Sequence, residues 1–293
     1  MVQVKSAFSL QKDHLKKVIK NNRFLSCWIM RSYFYFQGKY LRVLRGNKNP
    51  PMLVGELNLF TKIFSQCKVI VDVGARYDVD YICISQGNDI EYYLFEANPK
   101  FFRKLVVNLR PFIENIVVEN LAVSNKSGFC EYFEQHQTIV KHTLNTKQTK
   151  KPSATVRMCR LDDYFLKINV AQIDFLKTDI EMHDYFALLG LGKLLNEILF
   201  IQIELGIGAE YEDGFVTNAS YYELLESTFD LYICADENNS LWSHFGLTLD
   251  LVKLDYRAKE FIEYAQKNGE GFNIFGVNKN RKCSLNELVI GSL

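Results

Sequence analysis

Residues 69–78 read V-I-V-D-V-G-A-R-Y-D and residues 91–98 read E-Y-Y-L-F-E-A-N, and this pair of segments decides the fold. An apolar β-run, Val69 to Val73, stops at a tight turn after Asp72-Val73-Gly74. About twenty residues later a second β-run, Tyr92 to Phe95, ends in the acid Glu96. A strand, a turn glycine, a helix and a strand-end acid make up the nucleotide-binding half of a doubly wound sheet. Gly74 lets backbone approach a ligand, and a carboxylate in the position of Glu96 can accept hydrogen bonds from ribose hydroxyls. The glycine fingerprint is incomplete, with Arg76 and Asp78 where further glycine would stand. On this stretch alone two readings stay open, a nucleotide-type ligand site and a plain buried βαβ unit.

The rest of the chain repeats the alternation of strand and helix. Residues 53–66 predict a helix that feeds the first strand, and Val79 to Gln86 a short one after it. Asn98-Pro99 is a helix start, with Asn as N-cap and Pro at the first helical position, and this helix runs to about Leu109. Further strands are expected at 116–121, 173–177, 198–203, 231–234 and 272–277. A hairpin pairs Phe129 to Phe133 with Ala154 to Met158. Leu161-Asp162-Asp163 opens a helix, Tyr185 to Leu195 is helical, and residues 206–218 read as a glycine-rich acidic loop. The pattern predicts an α/β fold with a doubly wound, mostly parallel seven-stranded sheet. In such sheets the ligand sits beyond the carboxyl ends of the strands. Those ends carry Asp72 and Gly74, Glu96, Leu121 to Val123, Asp179 with Glu181, and Glu204, so four of the five hold carboxylates.

The chain has 293 residues, 48% of them hydrophobic, enough for one large domain with an appendage. Its net charge of +1 hides an asymmetry. Residues 1–50 hold eleven Lys and Arg against the single acid Asp13, and the remainder is acidic. We therefore divide the chain into a basic, aromatic helical extension over 1–50 and a main domain over 51–293, with N-K-N-P-P at 47–51 as the break. Aromatic and basic residues interleave over 12–45. Three readings of this arm remain open: helices packed on the main domain, an interfacial contact with an anionic membrane surface, and, ranked last, a nucleic-acid arm. The apolar run 24–36 is too short to span a bilayer.

Seven cysteines stand singly without a C-x-x-C pair, and five histidines show no H-x-x-x-H pairing. Neither a disulfide framework nor a metal site is expected, and a reducing, cytoplasmic setting fits best. No secretory signal is read at the N-terminus, and no G-x-x-x-x-G-K-[ST] loop is present to cradle a triphosphate.

Five segments in order, D-V-G-A-R (72–76), L-F-E-A-N-P (94–99), L-A-V-S-N-K-S-G (121–128), R-L-D-D-Y (160–164) and I-D-F-L-K-T-D-I-E (173–181), carry a resemblance. Together they resemble the FkbM family of S-adenosylmethionine-dependent methyltransferases over roughly residues 65–205. The resemblance implies a class I methyltransferase fold of Rossmann type. It implies S-adenosylmethionine as cofactor and a hydroxyl of a carbohydrate or related small molecule as acceptor. Carried over, Asp72 and Gly74, with Ala75 and Arg76 in the same turn, would shape the donor's methionine side. Glu96 would bind the ribose and Ala122 would line the adenine slot. Asp179 and Glu181 would stand near the sulfonium and the acceptor, with His183 as a candidate base. Two departures stand out. The family's first motif reads D-V-G-A-N-x-G, against Arg76 and Asp78 here. Its E-G-A-E is replaced by Glu181-Met182-His183-Asp184. They keep a non-catalytic binding or scaffold protein of this fold in play as a rival, and the basic arm over 1–50 keeps a second, a nucleic-acid methyltransferase. Asp78 or Asp80 is expected to hold the charge of Arg76.

Overall fold

The computed structural model describes residues 55–85, 88–112, 115–132, 153–180, 183–205, 209–211, 214–216, 218–234, 251–254, 272–288 and 290–291. The predicted extension over 1–50 lies outside them, as do Glu181 and Met182.

The apolar run at 69–73 forms β1 (Val69–Val73) and the second run forms β2 (Glu91–Phe95), joined through a short helix α2 (Asp80–Ser85). They pair in parallel from Val69↔Glu91 to Val73↔Phe95, so both strands end level with each other. Ahead of β1 lies α1 (Gly55–Ile63). After β2 comes α3 (Pro99–Leu109), where the Lys100 amide donates to the Asn98 side chain at 2.9 Å, the capping bond the sequence predicts. Then follow β3 (Ile116–Glu119), β4 (Ala122–Val123), β5 (Gly128–Tyr132), β6 (Ala154–Cys159) and α4 (Leu161–Lys167). The chain continues through β7 (Ile173–Thr178), α5 (Asp184–Leu189), β8 (Ile198–Leu205), β9 (Ala209–Tyr211), β10 (Gly214–Val216), α6 (Asn218–Leu225), β11 (Phe229–Cys234), β12 (Leu251–Lys253), β13 (Phe272–Asn278) and β14 (Ile290–Gly291).

The main sheet runs β14-β12-β11-β13-β8-β7-β1-β2-β3. From β3 to β8 every neighbouring pair is parallel, and β13 then enters antiparallel between β8 and β11. The order reverses between β1 and β7, which places the topological switch point, and the crevice it opens, at Gly74 and Asp179. Helices cover both faces. Leu59, Phe60, Ile82 and Leu105 pack α1, α2 and α3 on one side. Leu161, Phe165, Leu188 and Leu225 pack α4, α5 and α6 on the other. A three-stranded sheet, β4-β6-β5, stands beside the main one, and its β5–β6 pairing is the predicted hairpin.

Three expectations need correction. The sheet has nine strands rather than seven, because the short β12 and β14 extend its far edge. The predicted loop at 206–218 holds the β9–β10 hairpin. The predicted helix 185–195 breaks at Gly190, where a Cβ would stand 2.1 Å from the Ser124 carbonyl oxygen, and resumes as a 3-10 turn over Gly192–Glu197. Helical periodicity continues through that break, so sequence pattern alone carries no sign of it.

Candidate active site

Two clefts open at the switch point, one on each side of the turn after β1, and Gly74, Arg76 and Asp179 belong to both. The turn itself is the tightest packing in the site. Gly74 has φ +90, and a Cβ there would lie 2.0 Å from the Asp179 carbonyl oxygen. Only glycine lets the β1 and β7 ends meet this closely. Its amide and that of Ala75 both donate to the Phe95 carbonyl, at 2.9 and 3.2 Å, so the loop is tied to the end of β2.

That tie brings Glu96 inward. Its Oε2 accepts from the Arg76 amide at 2.7 Å and its Oε1 from the Asn98 amide at 2.6 Å. The carboxyl is 5% exposed, and burial pushes its pKa up from 4.5 to about 7, against the lowering effect of those two amides. Each oxygen keeps a lone pair for a further donor. The first cleft continues from Glu96 along an apolar wall of Ala97, Leu121, Ala122 and Val123. His183 closes its far side: the ring stacks on Phe186 at 5.1 Å and Nε2 lies 3.0 Å from the Ser124 hydroxyl. Burial pushes this histidine down to about 4, so it is neutral at ordinary pH.

The second cleft has a charged floor, and strand register explains it. Asp72 pairs with Lys177 and Lys177 with Gln202, which sets Leu94, Asp72, Lys177, Gln202 and Phe275 in one row across the sheet. Lys177 Nζ lies 3.0 Å from Asp179 Oδ2 and 3.9 Å from Asp72 Oδ1. Burial alone would push its ammonium down, but Asp72 and Asp179 hold it well above the usual lysine range. Burial raises Asp72 to about 6, with Lys177 opposing. Asp179 is also desolvated, yet Lys177 and a hydrogen bond with Glu204 bring it below the usual carboxylate range. Above the row, Tyr81 donates to Glu56 Oε2 at 3.2 Å and accepts from Gln202 Nε2 at 3.4 Å.

A family model described as the methyltransferase FkbM domain matches residues 72–232. The chain belongs to the FkbM methyltransferase family. Its donor is the one that family uses, S-adenosylmethionine. No curated protein matches the sequence. Among solved structures, this FkbM chain is similar to a putative rRNA-methylase from Clostridium thermocellum, at 9% identity and TM-score 0.44, covering 79% of this chain and 100% of that one. It is similar to the N-terminal domain of EvdMO1, solved with SAH and D-fucose, at 9% identity and TM-score 0.42, covering 76% and 81%. It is also similar to M. capricolum TrmK in complex with S-adenosylhomocysteine, at 12% identity and TM-score 0.40, covering 80% and 72%.

Within the FkbM domain the structure brings together Asp72, Gly74, Ala75, Arg76, Glu96, Ala122, Asp179 and His183, all of them named from sequence, around the two clefts. Glu181 lies outside the described residues. Arg76 departs from expectation. Its φ is 51, and its guanidinium lies over the rings of Tyr77 and Phe101, at 5.8 and 5.7 Å. Among the described residues it makes no ion pair with Asp78 or Asp80, although its charge opposes the burial that raises the Asp78 carboxyl above the usual carboxylate range. The two aromatic rings give this exposed cation its seat. Sequence reading gave no role to Lys177, Glu56, Tyr81 or Gln202. A lysine inside the apolar run I-D-F-L-K-T is the signal that finds the first of them, since a buried ammonium needs carboxylates beside it.

Proposed function

We propose that this FkbM-family chain transfers the methyl group of S-adenosylmethionine to a hydroxyl oxygen of a carbohydrate-type acceptor. The observation that carries the reading is Glu96. It is a strand-end carboxylate, buried and braced by two backbone amides, with lone pairs turned to a cleft whose opposite wall is apolar. Ribose hydroxyls suit its free lone pairs, and the slot of Ala97, Leu121 and Ala122 suits the adenine. Gly74, whose close packing against the Asp179 carbonyl leaves no room for a side chain, sets the ends of β1 and β7 side by side where the two clefts meet.

When bound, the donor supplies an electrophilic methyl on a sulfonium. What remains for the protein is positioning and the management of one proton. Asp179 stands where the clefts meet, charged and oriented by Lys177, and we assign it the acceptor hydroxyl, whose hydrogen bond it accepts. His183 is a weak base when held neutral down to about pH 4, so we assign it to the wall of the adenosyl cleft and leave the proton to the carboxylates. The test is transfer of labelled methyl from S-adenosylmethionine to a panel of sugars. Label in a hydroxyl ether that is lost in Asp179→Asn supports the reading. Donor binding without transfer to any acceptor would favour a binding protein of the same fold.

A further inference from the structure

The turn after β1 and helix α3 gather positive charge at the rim of the first cleft. The Arg76 guanidinium stands over the rings of Tyr77 and Phe101, and the Lys104 ammonium stands over the same two rings, at 5.3 and 5.7 Å. The rings meet edge to face with centroids 5.6 Å apart, and the Asn108 side chain donates to the Tyr77 carbonyl at 2.8 Å, so turn and helix hold this exposed cluster as one unit. Aromatic rings seat cations but bring no net charge to balance them. No acid supplies it either. Between Pro99 and Ile113 the sequence holds four Lys and Arg and no Asp or Glu, and neither Arg76 nor Lys104 makes an ion pair with a described acid. Asp78 and Asp80, the acids next to Arg76 in sequence, line the second cleft, whereas Phe101 lines the first and Arg76 lines both. Two like charges brought to one pair of rings repel each other, and an anion between them would turn that repulsion into attraction.

We propose that the acceptor carries a phosphate group, which Arg76 and Lys104 bind at the rim of the first cleft. This rests on the reading of the chain as a methyltransferase whose acceptor hydroxyl meets Asp179. A phosphate answers both cations together, because it brings close to two charges and three acceptor oxygens. A guanidinium fork beside an ammonium is a donor set suited to those oxygens. A neutral sugar would leave the cations unanswered, and a protonated amine would be repelled. The place also suits the reaction. Arg76 lines the same cleft as Glu96 and Asp179, and its charge reaches both carboxyls, favouring the ionised form of each against burial. An acceptor tethered by its phosphate to Arg76 is thus held beside the turn where the two clefts meet.

The experiment is titration calorimetry of the full chain, free and loaded with S-adenosylhomocysteine, against glucose and mannose, their 1- and 6-phosphates, inorganic phosphate and a single-stranded oligouridylate. At least one sugar phosphate should bind about tenfold or more tighter than its parent sugar, the gain expected from charge-assisted hydrogen bonds, and tighter than inorganic phosphate. Lys104→Gln should remove most of that gain, Lys104→Arg should keep it, and neither should alter the affinity for S-adenosylhomocysteine. Added salt should weaken the sugar phosphates and spare the sugars. If every sugar phosphate binds no better than its parent, or the gain survives Lys104→Gln, the proposal falls. It falls also if inorganic phosphate binds as tightly as the sugar phosphates, since the cations then hold a free ion, or if the oligouridylate binds tighter than all of them through Lys104, since the surface then serves a nucleic acid. If S-adenosylhomocysteine fails to bind, the methyltransferase reading falls instead, and the phosphate preference of the free protein still decides this one.

Discussion

Lys177→Met removes the cation on which the floor of the site depends. The ammonium lies 3.0 Å from Asp179 and 3.9 Å from Asp72, and 8% of the residue is exposed. Deleting one partner of a buried pair costs about 3–5 kcal/mol, because the other charge stays behind uncompensated. Here two carboxylates are left, so the upper part of that range is expected near pH 8. Even with Lys177 present, Asp72 is raised from 3.8 to about 6, a burden of about 3 kcal/mol on the ionised fold at 1.36 kcal/mol per pH unit. The sign follows from proton counting. A carboxyl raised on folding binds its proton more tightly in the native state, so its burden grows as pH rises from about 4 through the folded pKa and is complete above it. Without Lys177 that pKa climbs further, and acid becomes the remedy. Urea unfolding followed by circular dichroism should show the variant losing several kcal/mol near pH 8 and substantially less near pH 5.5. Adding Asp72→Asn to Lys177→Met should restore part of the loss at the higher pH. A loss of the same size at both pH values, or one below about 1 kcal/mol at the higher, would refute the charge argument and leave Lys177 a packing residue.

Gly74→Ala places a methyl 2.0 Å from a backbone oxygen at φ +90. We expect a folded but weakened protein, with affinity for S-adenosylhomocysteine down by more than about tenfold from the displaced turn, and unaltered calorimetry would count against the cradle. Asp184, 1% exposed, is raised by burial from 3.8 to about 7, against the lowering effect of hydrogen bonds from Thr178 and the Ile180 amide. By the same sign rule Asp184→Asn should raise the melting temperature near pH 8 and flatten its fall with pH, and a drop there would show that the charge is needed. Arg76→Gln should weaken S-adenosylmethionine and S-adenosylhomocysteine alike, and by less than about tenfold, because the guanidinium is seated over Tyr77 and Phe101. A selective gain for the sulfonium form in that comparison would place the cation against the sulfur instead.

How much of this could be read from residue order depends on the range of the interaction. β1, β2 and the helix after Asn98-Pro99 are local events, set by apolar runs and a capping side chain, and they stand within a residue or so of their predicted bounds. The strand-end acids were legible because topology puts every parallel strand's carboxyl end on one edge. The break at Gly190 was not, since it comes from the approach of the Ser124 carbonyl, more than sixty residues away. Nor was the row Asp72–Lys177–Gln202, which exists only once the register of β1, β7 and β8 is fixed. Arg76 shows the same limit at short range. Asp78 and Asp80 are its neighbours in sequence, but the turn at φ 51 carries the guanidinium to Phe101 on α3 instead.

The central claim is that Glu96 holds the ribose of S-adenosylmethionine, and calorimetric titration with S-adenosylhomocysteine between about pH 6 and 8 tests it most directly. The ionised carboxyl is the form that accepts two hydroxyl donors, and its pKa stands at about 7. Affinity should therefore rise with pH through that value in the wild type. In Glu96→Gln it should be one to two decades weaker, as loss of charged hydrogen bonds of about 1.5–3 kcal/mol requires, and level across the range. A folded wild type that does not bind, or a Glu96→Gln variant that binds as tightly and with the same pH dependence, would contradict the account.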